Sequence, residues 1–343
     1  MSARPAQAGR AGEDRPGAVS PGKPARSERS RLPLIRRRLL RWYAGHGRDL
    51  PWRRTRDPYA VLVAEIMLQQ TQVDRVIPKY HQFLERFPTL EALAAASRAE
   101  VIRIWAPLGH NRRAVRLHEL AQQVVGGAGA RLPSRPEELA KLGGLGPYTA
   151  AAVACFAFGH QVAVLDTNVK RVVSRLLADR LGPEPRPRHL AAAAQEIMPI
   201  GRAWDWNQAM MDLGATVCTA RAPSCYRCPV NEMCASRASL SPRSTMPPPR
   251  AAEARAPYRA SEQYSGSSRF FRGRIVQRLR ELGPNETLSL DELGGAVRDD
   301  YSAAQRGWLL GLVQGLDADG LLKVHRQGDP AEELAGSIRV GLP

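Results

Sequence analysis

The sequence predicts an all-α body followed by a small α+β unit, and three observations carry that reading. Between Leu32 and Cys234 apolar residues recur at intervals of three and four, as in Leu34, Leu39, Leu40 and Tyr43 and again in Tyr80, Phe83, Leu84 and Phe87. That spacing is the period of a helix with one buried face. Alternating, strand-like runs are nearly absent there. The helical pattern breaks at turn chemistry: Arg56-Asp57-Pro58, Gly126-Gly127, Gly143-Gly144-Leu145-Gly146-Pro147 and Leu181-Gly182-Pro183.

Taken in order, residues 1–30 hold few large apolar side chains and repeated Pro and Gly, and are expected to form a disordered basic tail. Residues 31–235 are the helical body. Residues 236–268 form a Ser/Pro/Arg/Ala linker around Pro247-Pro248-Pro249. A second unit, 269–343, predicts helices over Phe270–Leu282, Leu290–Val297 and Ala303–Asp317, a turn at Gly320, and a β pair from Leu321–His325 and Ser337–Val340. Helix-helix-helix-strand-strand is the order of a winged-helix domain, although other small helical caps share it. No internal repeat is present.

At 343 residues and 43% hydrophobic, the chain can bury a sizeable core. Its formal charge is +17; residues 1–30 carry six basic against three acidic residues, +3, which leaves +14 for the rest. A body so basic favours a polyanionic partner such as a phosphate backbone, though an Arg-rich proteome gives the same excess. No apolar run approaches the ~20 residues of a membrane span, and the N-terminus lacks the apolar segment of a secretory signal. Glu13 and Asp14 argue against an organellar transit peptide. The expected setting is cytoplasmic (at the nucleoid in a bacterium), and the expected state monomeric. Five cysteines, four of them between Cys218 and Cys234, fit a reducing compartment and a metal site better than a disulfide framework.

Cys218, Cys225, Cys228 and Cys234 give C-x6-C-x2-C-x5-C after the helical stretch Asn207–Val217. Four thiolates on short loops can hold a [4Fe–4S] cluster or a tetrahedral zinc, and chemistry alone does not choose. Cys155, within the apolar run Ala150–Phe158, is a core thiol. The run Leu142–Ala150 joins two helical segments through glycines that permit tight backbone, and the helix that follows offers N–H groups to an anion. Asp166 lies where an apolar run ends and a helix begins, a position that N-capping alone would explain. Glu65 sits among Val61, Leu62, Leu68 and Gln69 at helical spacing. In such surroundings its pKa should rise, unless the side chain snorkels to water.

These motifs together carry a resemblance. Val61–Gln72, the hairpin Leu142–Ala150, the run Val164–Val172, the helix Gln208–Gly214 and the cysteine spacing resemble the MutY adenine glycosylases of the endonuclease III/helix-hairpin-helix superfamily, over about residues 31–235. The resemblance implies two helical subdomains, one of six helices over about 57–165 and a cluster subdomain of 31–56 with 166–235. It implies one [4Fe–4S] cluster on the four cysteines, structural and DNA-positioning in role, which orders Arg221 and Arg227 for phosphate contact. It implies that Glu65 protonates the departing adenine and that Asp166 stabilises the oxocarbenium-like sugar, a division of labour like that of paired glycosidase carboxylates. Tyr148 stands where bifunctional relatives carry a Schiff-base lysine, so monofunctional chemistry is implied, although Lys141 and Lys170 lie nearby in sequence.

Further positions follow from the same resemblance. Gln69, Gln70 and Thr71 match the wedge that enters the duplex as a base is extruded. Gly144 and Gly146 match the phosphate-binding hairpin. Trp52, Arg53 and Asp212 match residues of the base pocket, and Asn168 an asparagine beside the extruded nucleotide. Two departures stand out. Gly109-His110-Asn111, followed by Arg112-Arg113-Ala114, replaces the usual Gly-Tyr-Tyr, so His110 occupies the place of a tyrosine that intercalates beside 8-oxoguanine. Residues 269–343 do not resemble the family's Nudix-like domain. The implied function is excision of adenine mispaired with guanine or 8-oxoguanine in duplex DNA. A mismatch thymine or uracil glycosylase of the same superfamily, which can also carry tyrosine at the Tyr148 position, is the alternative. A non-catalytic, cluster-bearing DNA-binding regulator, for which Glu65 and Asp166 would be dispensable, is a third reading.

Overall fold

The structure, a computed structural model, describes residues 26–127, 129, 131–240, 266–326 and 338–343. Helix α1 (Arg26–His46) begins inside the segment expected as a tail. Helix α2 (Pro58–Leu68) starts at the turn Arg56-Asp57-Pro58. There Asp57 accepts hydrogen bonds from the Tyr59 and Ala60 N–H groups, and Pro58 fills the first helical position. Every residue of α2 from Tyr59 to Met67 is buried, because α2 is the central helix of its subdomain. It packs on α3 (Val73–Arg86), α6 (Arg112–Gly127) and α8 (Pro147–Phe156). Helices α4 (Leu90–Ala95), α5 (Arg98–Trp105) and α7 (Pro136–Leu139) complete that layer.

The other half of the body joins α1 to α9 (Thr167–Leu176), α10 (Ala178–Leu181), α11 (Pro187–Ile197) and α12 (Ala203–Thr216), with α12 packed on both α1 and α9. Two 3-10 turns, Cys225–Arg227 and Asn231–Met233, and the short α13 (Arg237–Leu240) follow. One apolar cluster runs from Ile35 and Leu39 on α1 through α2 and α8 to Met210 and Met233, so the two halves share a core.

The C-terminal unit runs α14 (Ser268–Arg280), β1 (Leu288–Ser289), α15 (Leu290–Val297), α16 (Arg306–Ala318), β2 (Lys323–Arg326) and β3 (Ile338–Gly341). Its antiparallel sheet has the order β1-β3-β2, with Val340 paired to Leu288 on one side and Val324 on the other. Strand β1 is absent from the sequence reading because two residues show no alternation; Ser337, expected to begin the last strand, and most of the 236–268 linker lie outside the described residues. This unit is docked on the body. Ile102 of α5 and Val115 of α6 belong to its apolar cluster. Arg280 Nη2 donates to Asn111 Oδ1 (2.7 Å), Arg103 Nη2 to the Leu282 carbonyl (3.1 Å), and the Ala99 N–H to the Pro343 carbonyl (3.2 Å). Among the described residues no helix is long and apolar enough to cross a membrane.

Candidate active site

Glu65 points into the interface between α2 and α8 and is only 6% exposed. There the Tyr148 hydroxyl, at the first turn of α8, donates to Glu65 Oε2 (2.9 Å). Burial pushes the Glu65 carboxyl up to about 7 from its ordinary 4.5, and the negative charge of Asp166 pushes the same way. The hydrogen bond from Tyr148 and the charge of Arg53 oppose the rise without cancelling it. Burial, followed by the charges of Glu65 and Asp166, holds the Tyr148 phenol well above its usual range. The structure thus brings Glu65, Tyr148 and Asp166 to one place, although they come from three helices far apart in sequence.

Asp166 caps α9. Its Oδ1 accepts from the Val169 N–H (2.6 Å) and its Oδ2 from Asn168 Nδ2 (2.9 Å), so both carboxylate oxygens are oriented. The extended segment leading to it is held by buried Asn207 of α12, whose Oδ1 accepts from the Val164 N–H (2.9 Å) and whose Nδ2 donates to the Val162 carbonyl (2.9 Å). A side chain at Gly214 would put its Cβ 2.7 Å from Asn168 Cβ, so the close approach of α12 to α9 requires glycine there. Arg171, on the next turn, donates to Asn168 Oδ1 (2.7 Å), the Gly214 carbonyl (2.8 Å) and the Cys218 carbonyl (2.8 Å). That guanidinium ties the cysteine loop to the asparagine that orients Asp166. The sequence offered no signal for it beyond one more basic residue on an amphipathic helix.

Asp212 is fully buried and its oxygens are taken up by protein donors. Arg48 contributes its N–H (2.9 Å) and Nε (2.7 Å), and Arg53 contributes Nη1 and Nη2 (2.8 Å each). Burial raises its pKa, but the bonds and charges of Arg53 and then Arg48 more than offset this and hold it below the usual carboxylate range. Trp52 is buried edge-on against Tyr80, with ring centroids 5.6 Å apart. Of the three pocket candidates, Arg53 is the one whose charge reaches Glu65.

The Gln69-Gln70-Thr71 segment follows α2 directly. Gln69 Nε2 donates to Thr149 Oγ1 on α8 (3.3 Å). Gln70 and His110 both have positive φ (56° and 46°), a conformation that non-glycine side chains rarely adopt. Both are exposed, and both flank Arg113. That arginine, hidden in a run that reads as basic surface, is buried. Its guanidinium donates to the carbonyls of Ile66 (3.0 Å), Met67 (2.9 Å), Gln69 and Gly109 (3.2 Å), and to Thr71 Oγ1 (3.0 Å). It satisfies the orphan carbonyls at the end of α2 and pins the two strained turns to each other. Arg113→Met keeps the volume and removes every donor. It is expected to cost about 3 kcal/mol of unfolding free energy, since several buried carbonyls lose their partners; urea denaturation giving less than about 1 kcal/mol would show these bonds to be dispensable.

Gly144 and Gly146 lie exposed in the hairpin between α7 and α8. Gly144 has a φ of 86°, and a Cβ there would lie 3.2 Å from Arg116 Cβ, so both conformation and space favour glycine. Arg221 and Arg227 are exposed on the cysteine loop. All four loop cysteines are free and half-buried, and they line one cavity with Val217, Pro223 and Leu240. Burial pushes the Cys228 thiol up to about 12, and the other three thiols push it the same way. Arg175 Nη1 donates to Cys218 Sγ (3.4 Å), and the Ser236 N–H donates back to the Arg175 carbonyl (3.1 Å), which anchors the loop on α9. Among the described residues, no three His, Cys, Asp or Glu side chains are grouped so that they could hold a single metal ion.

Comparison with known proteins places this geometry. The profile of the HhH-GPD superfamily base excision DNA repair proteins matches residues 63–199, which contain Glu65, Tyr148 and Asp166. The chain is 42% identical to an adenine DNA glycosylase of Mycolicibacterium smegmatis over 306 residues, 89% of this chain and 97% of the relative. It is 38% identical to a thymine-DNA glycosylase of Aeropyrum pernix over 214 residues, 60% of this chain and 96% of that one. Its fold is similar to that of endonuclease III in a non-covalent DNA complex, with a TM-score of 0.55 at 21% identity over 62% of this chain and 98% of the other. Similarity to the Mycolicibacterium enzyme extends over nearly the whole of both chains. The chain belongs to the MutY-type adenine glycosylase family of the HhH-GPD superfamily.

Proposed function

We propose that this chain excises adenine mispaired with guanine or 8-oxoguanine in duplex DNA and leaves an abasic site. The observation that carries the proposal is the buried Glu65, its carboxyl held near 7 beside Asp166. As a member of its family the chain is a DNA N-glycosylase, and the adenine specificity named for the Mycolicibacterium relative is what an acid at neutral pH would serve. Neutral adenine leaves a sugar far more readily than its anion. Glu65 gives its proton to the flipped base, the glycosidic electron pair goes to the base, and positive charge develops at the anomeric carbon. Asp166, oriented by Asn168 and the first turn of α9, faces that charge. Water then adds to the anomeric carbon and its proton passes to the Glu65 carboxylate, which restores the acid. Tyr148 has no amine to offer, so no Schiff base forms at its position. Gln69, Gln70 and Thr71 act as the wedge, the Gly144–Gly146 hairpin as a phosphate contact, and Trp52, Arg53 and Asp212 as the wall and the ion pair that set the pocket.

We assign a [4Fe–4S] cluster to the four loop cysteines, which line one cavity and stand in the spacing that carries the family resemblance. When bound, the cluster supplies covalent crosslinking of the loop rather than a reaction step. Arg171 and Arg175 couple that loop to α9, while Arg221 and Arg227 project from it toward phosphate. Purified protein is expected to hold about four irons per chain with matching sulfide; stoichiometric zinc in protein isolated from cells given both metals would reverse the assignment. The C-terminal unit, with its helix, strand, two helices and strand pair, is winged-helix-like.

The reading is tested by incubating the protein with duplexes carrying each mispair and locating the strand that becomes alkali-labile. Cleavage after alkali at adenine opposite guanine or 8-oxoguanine, with no borohydride-trapped adduct, is expected. Lability at thymine opposite guanine would favour the specificity named for the Aeropyrum relative. Stoichiometric trapping would contradict monofunctional chemistry.

A further inference from the structure

We propose that Gln195 and Asn207 are positioning residues, whose side-chain amides clamp the backbone of residues 161–164 and so hold Asp166 against the anomeric carbon. The inference rests on the reading of Asp166 as the carboxylate that faces the sugar, but not on which base leaves.

Residues 161–166 are neither helical nor part of a sheet, and the sheet among the described residues lies wholly in the C-terminal unit. Backbone in that state still has N–H and C=O groups that need partners. Two amides supply them, one on each side. Asn207 Oδ1 accepts from the Val164 N–H (2.9 Å), while its Nδ2 donates to the Val162 carbonyl (2.9 Å). Gln195 Oε1 accepts from the Ala163 N–H (2.8 Å), while its Nε2 donates to the Gln161 carbonyl (2.8 Å). Each amide thus bridges a carbonyl and the N–H two residues on, and the two bridges are out of step by one residue. That is the alternation of the two edges of an extended strand, with side chains of α11 and α12 standing where neighbouring strands would. Gln161 returns the contact. Its Nε2 donates to the Pro199 carbonyl (2.9 Å) and its Oε1 accepts from the Gly201 N–H (3.1 Å), so the loop between α11 and α12 and the clamped segment hold each other.

The clamp ends two residues before Asp166. Capping bonds from the Val169 N–H and Asn168 orient the carboxylate oxygens, whereas the clamp sets where the backbone that carries them lies. Asn207 is 1% exposed and also donates to the Ala203 carbonyl (2.9 Å), so its own place is fixed. Gln195 is exposed, yet both of its polar atoms are engaged on this segment. A chain can enter a capped helix from more than one direction; amides on opposite edges leave it one. A developing cation is stabilised by charge already in place, and a displacement of about 1 Å costs about a hundredfold in rate. An amide that only satisfied backbone would support folding and leave the chemical step alone.

The test uses the full chain, single-turnover excision from a mispaired duplex, and Kd for a duplex with a tetrahydrofuran abasic analogue, which no glycosylase can cleave. Gln195→Met keeps the length of an exposed side chain and removes both bonds. It is expected to slow excision about tenfold, and Asn207→Asp, which keeps the acceptor and loses the donor, about a hundredfold. Kd should stay within about twofold of wild type in both. In an Asp166→Asn background each substitution should slow the residual rate less than about twofold, because the charge it positions is already gone. Gln195→Met at the wild-type rate would overturn the proposal, as would an undiminished loss in the Asp166→Asn background. Should Asn207→Asp fail to fold, the Gln195 arms decide alone. A wild type that releases no base from any mispair would sink the proposed activity and this inference with it, whereas an active wild type matched by Gln195→Met sinks the inference alone.

Discussion

Asp166→Asn is expected to lower single-turnover adenine excision by about three orders of magnitude while leaving duplex affinity within a fewfold of wild type. The substitution separates the two things this side chain does. As the N-cap of α9 it accepts a hydrogen bond from the Val169 N–H, and asparagine caps a helix about as well as aspartate. The fold should therefore stay intact, with a thermal midpoint close to wild type. What asparagine lacks is the negative charge that would face the positive charge developing on the sugar, together with its smaller upward push on Glu65 and the second acceptor oxygen for Asn168 Nδ2. Asp166→Ala would be less informative, because it loses about 1 kcal/mol of capping together with the charge. Single-turnover kinetics with a mispaired duplex and equilibrium binding with an uncleavable one separate the two effects. Wild-type rates in Asp166→Asn would leave the carboxylate a capping residue only.

Local regularities carried much of the architecture. The three- and four-residue apolar spacing, Asp57-Pro58 at the start of α2 and the glycine-rich break before α8 are written in neighbouring residues, and the helical body follows from them. The site is harder because its decisive contacts join distant segments. Glu65 could be singled out as a carboxylate without a polar helix face, but its hydrogen bond from Tyr148 depends on how α2 and α8 pack. Arg113 looked like a member of a basic surface run; only the meeting of the α2 terminus with the Gly109 turn makes it a buried fork for five carbonyls and a hydroxyl. Asp212 drew attention by resemblance to a pocket acid, whereas its ion pairs with Arg48 and Arg53 span more than 150 positions in the chain. Strand β1 escaped for a different reason: two residues carry no period. Nor could any local pattern foretell that Ile102 and Val115, ordinary apolar positions of the body, would complete the core of the C-terminal unit.

Glu65→Gln is expected to do two opposite things, and the opposition makes it decisive. Removing the proton donor should slow excision by about 10²- to 10⁴-fold. In the wild type the rate should be level below about pH 6 and fall about tenfold per unit above pH 8, as a carboxyl near 7 loses its proton; the glutamine variant should lose that limb. Stability should move the other way. The unfolded carboxyl titrates near 4.5 and the folded one near 7, so between these values the folded chain holds a proton that the unfolded chain has released. The raised pKa thus favours folding below 4.5, and that advantage shrinks as pH rises through 7, by about 3 kcal/mol from this group alone. Glutamine accepts the Tyr148 hydroxyl without titrating, so the variant should match wild type near pH 4.5 and be about 3 kcal/mol more stable at pH 8. An enzyme that is both slower and harder to unfold has not lost activity through misfolding. If denaturation at pH 8 instead showed Glu65→Gln less stable than wild type, the carboxyl is ionised in the folded chain at neutral pH and cannot be the acid.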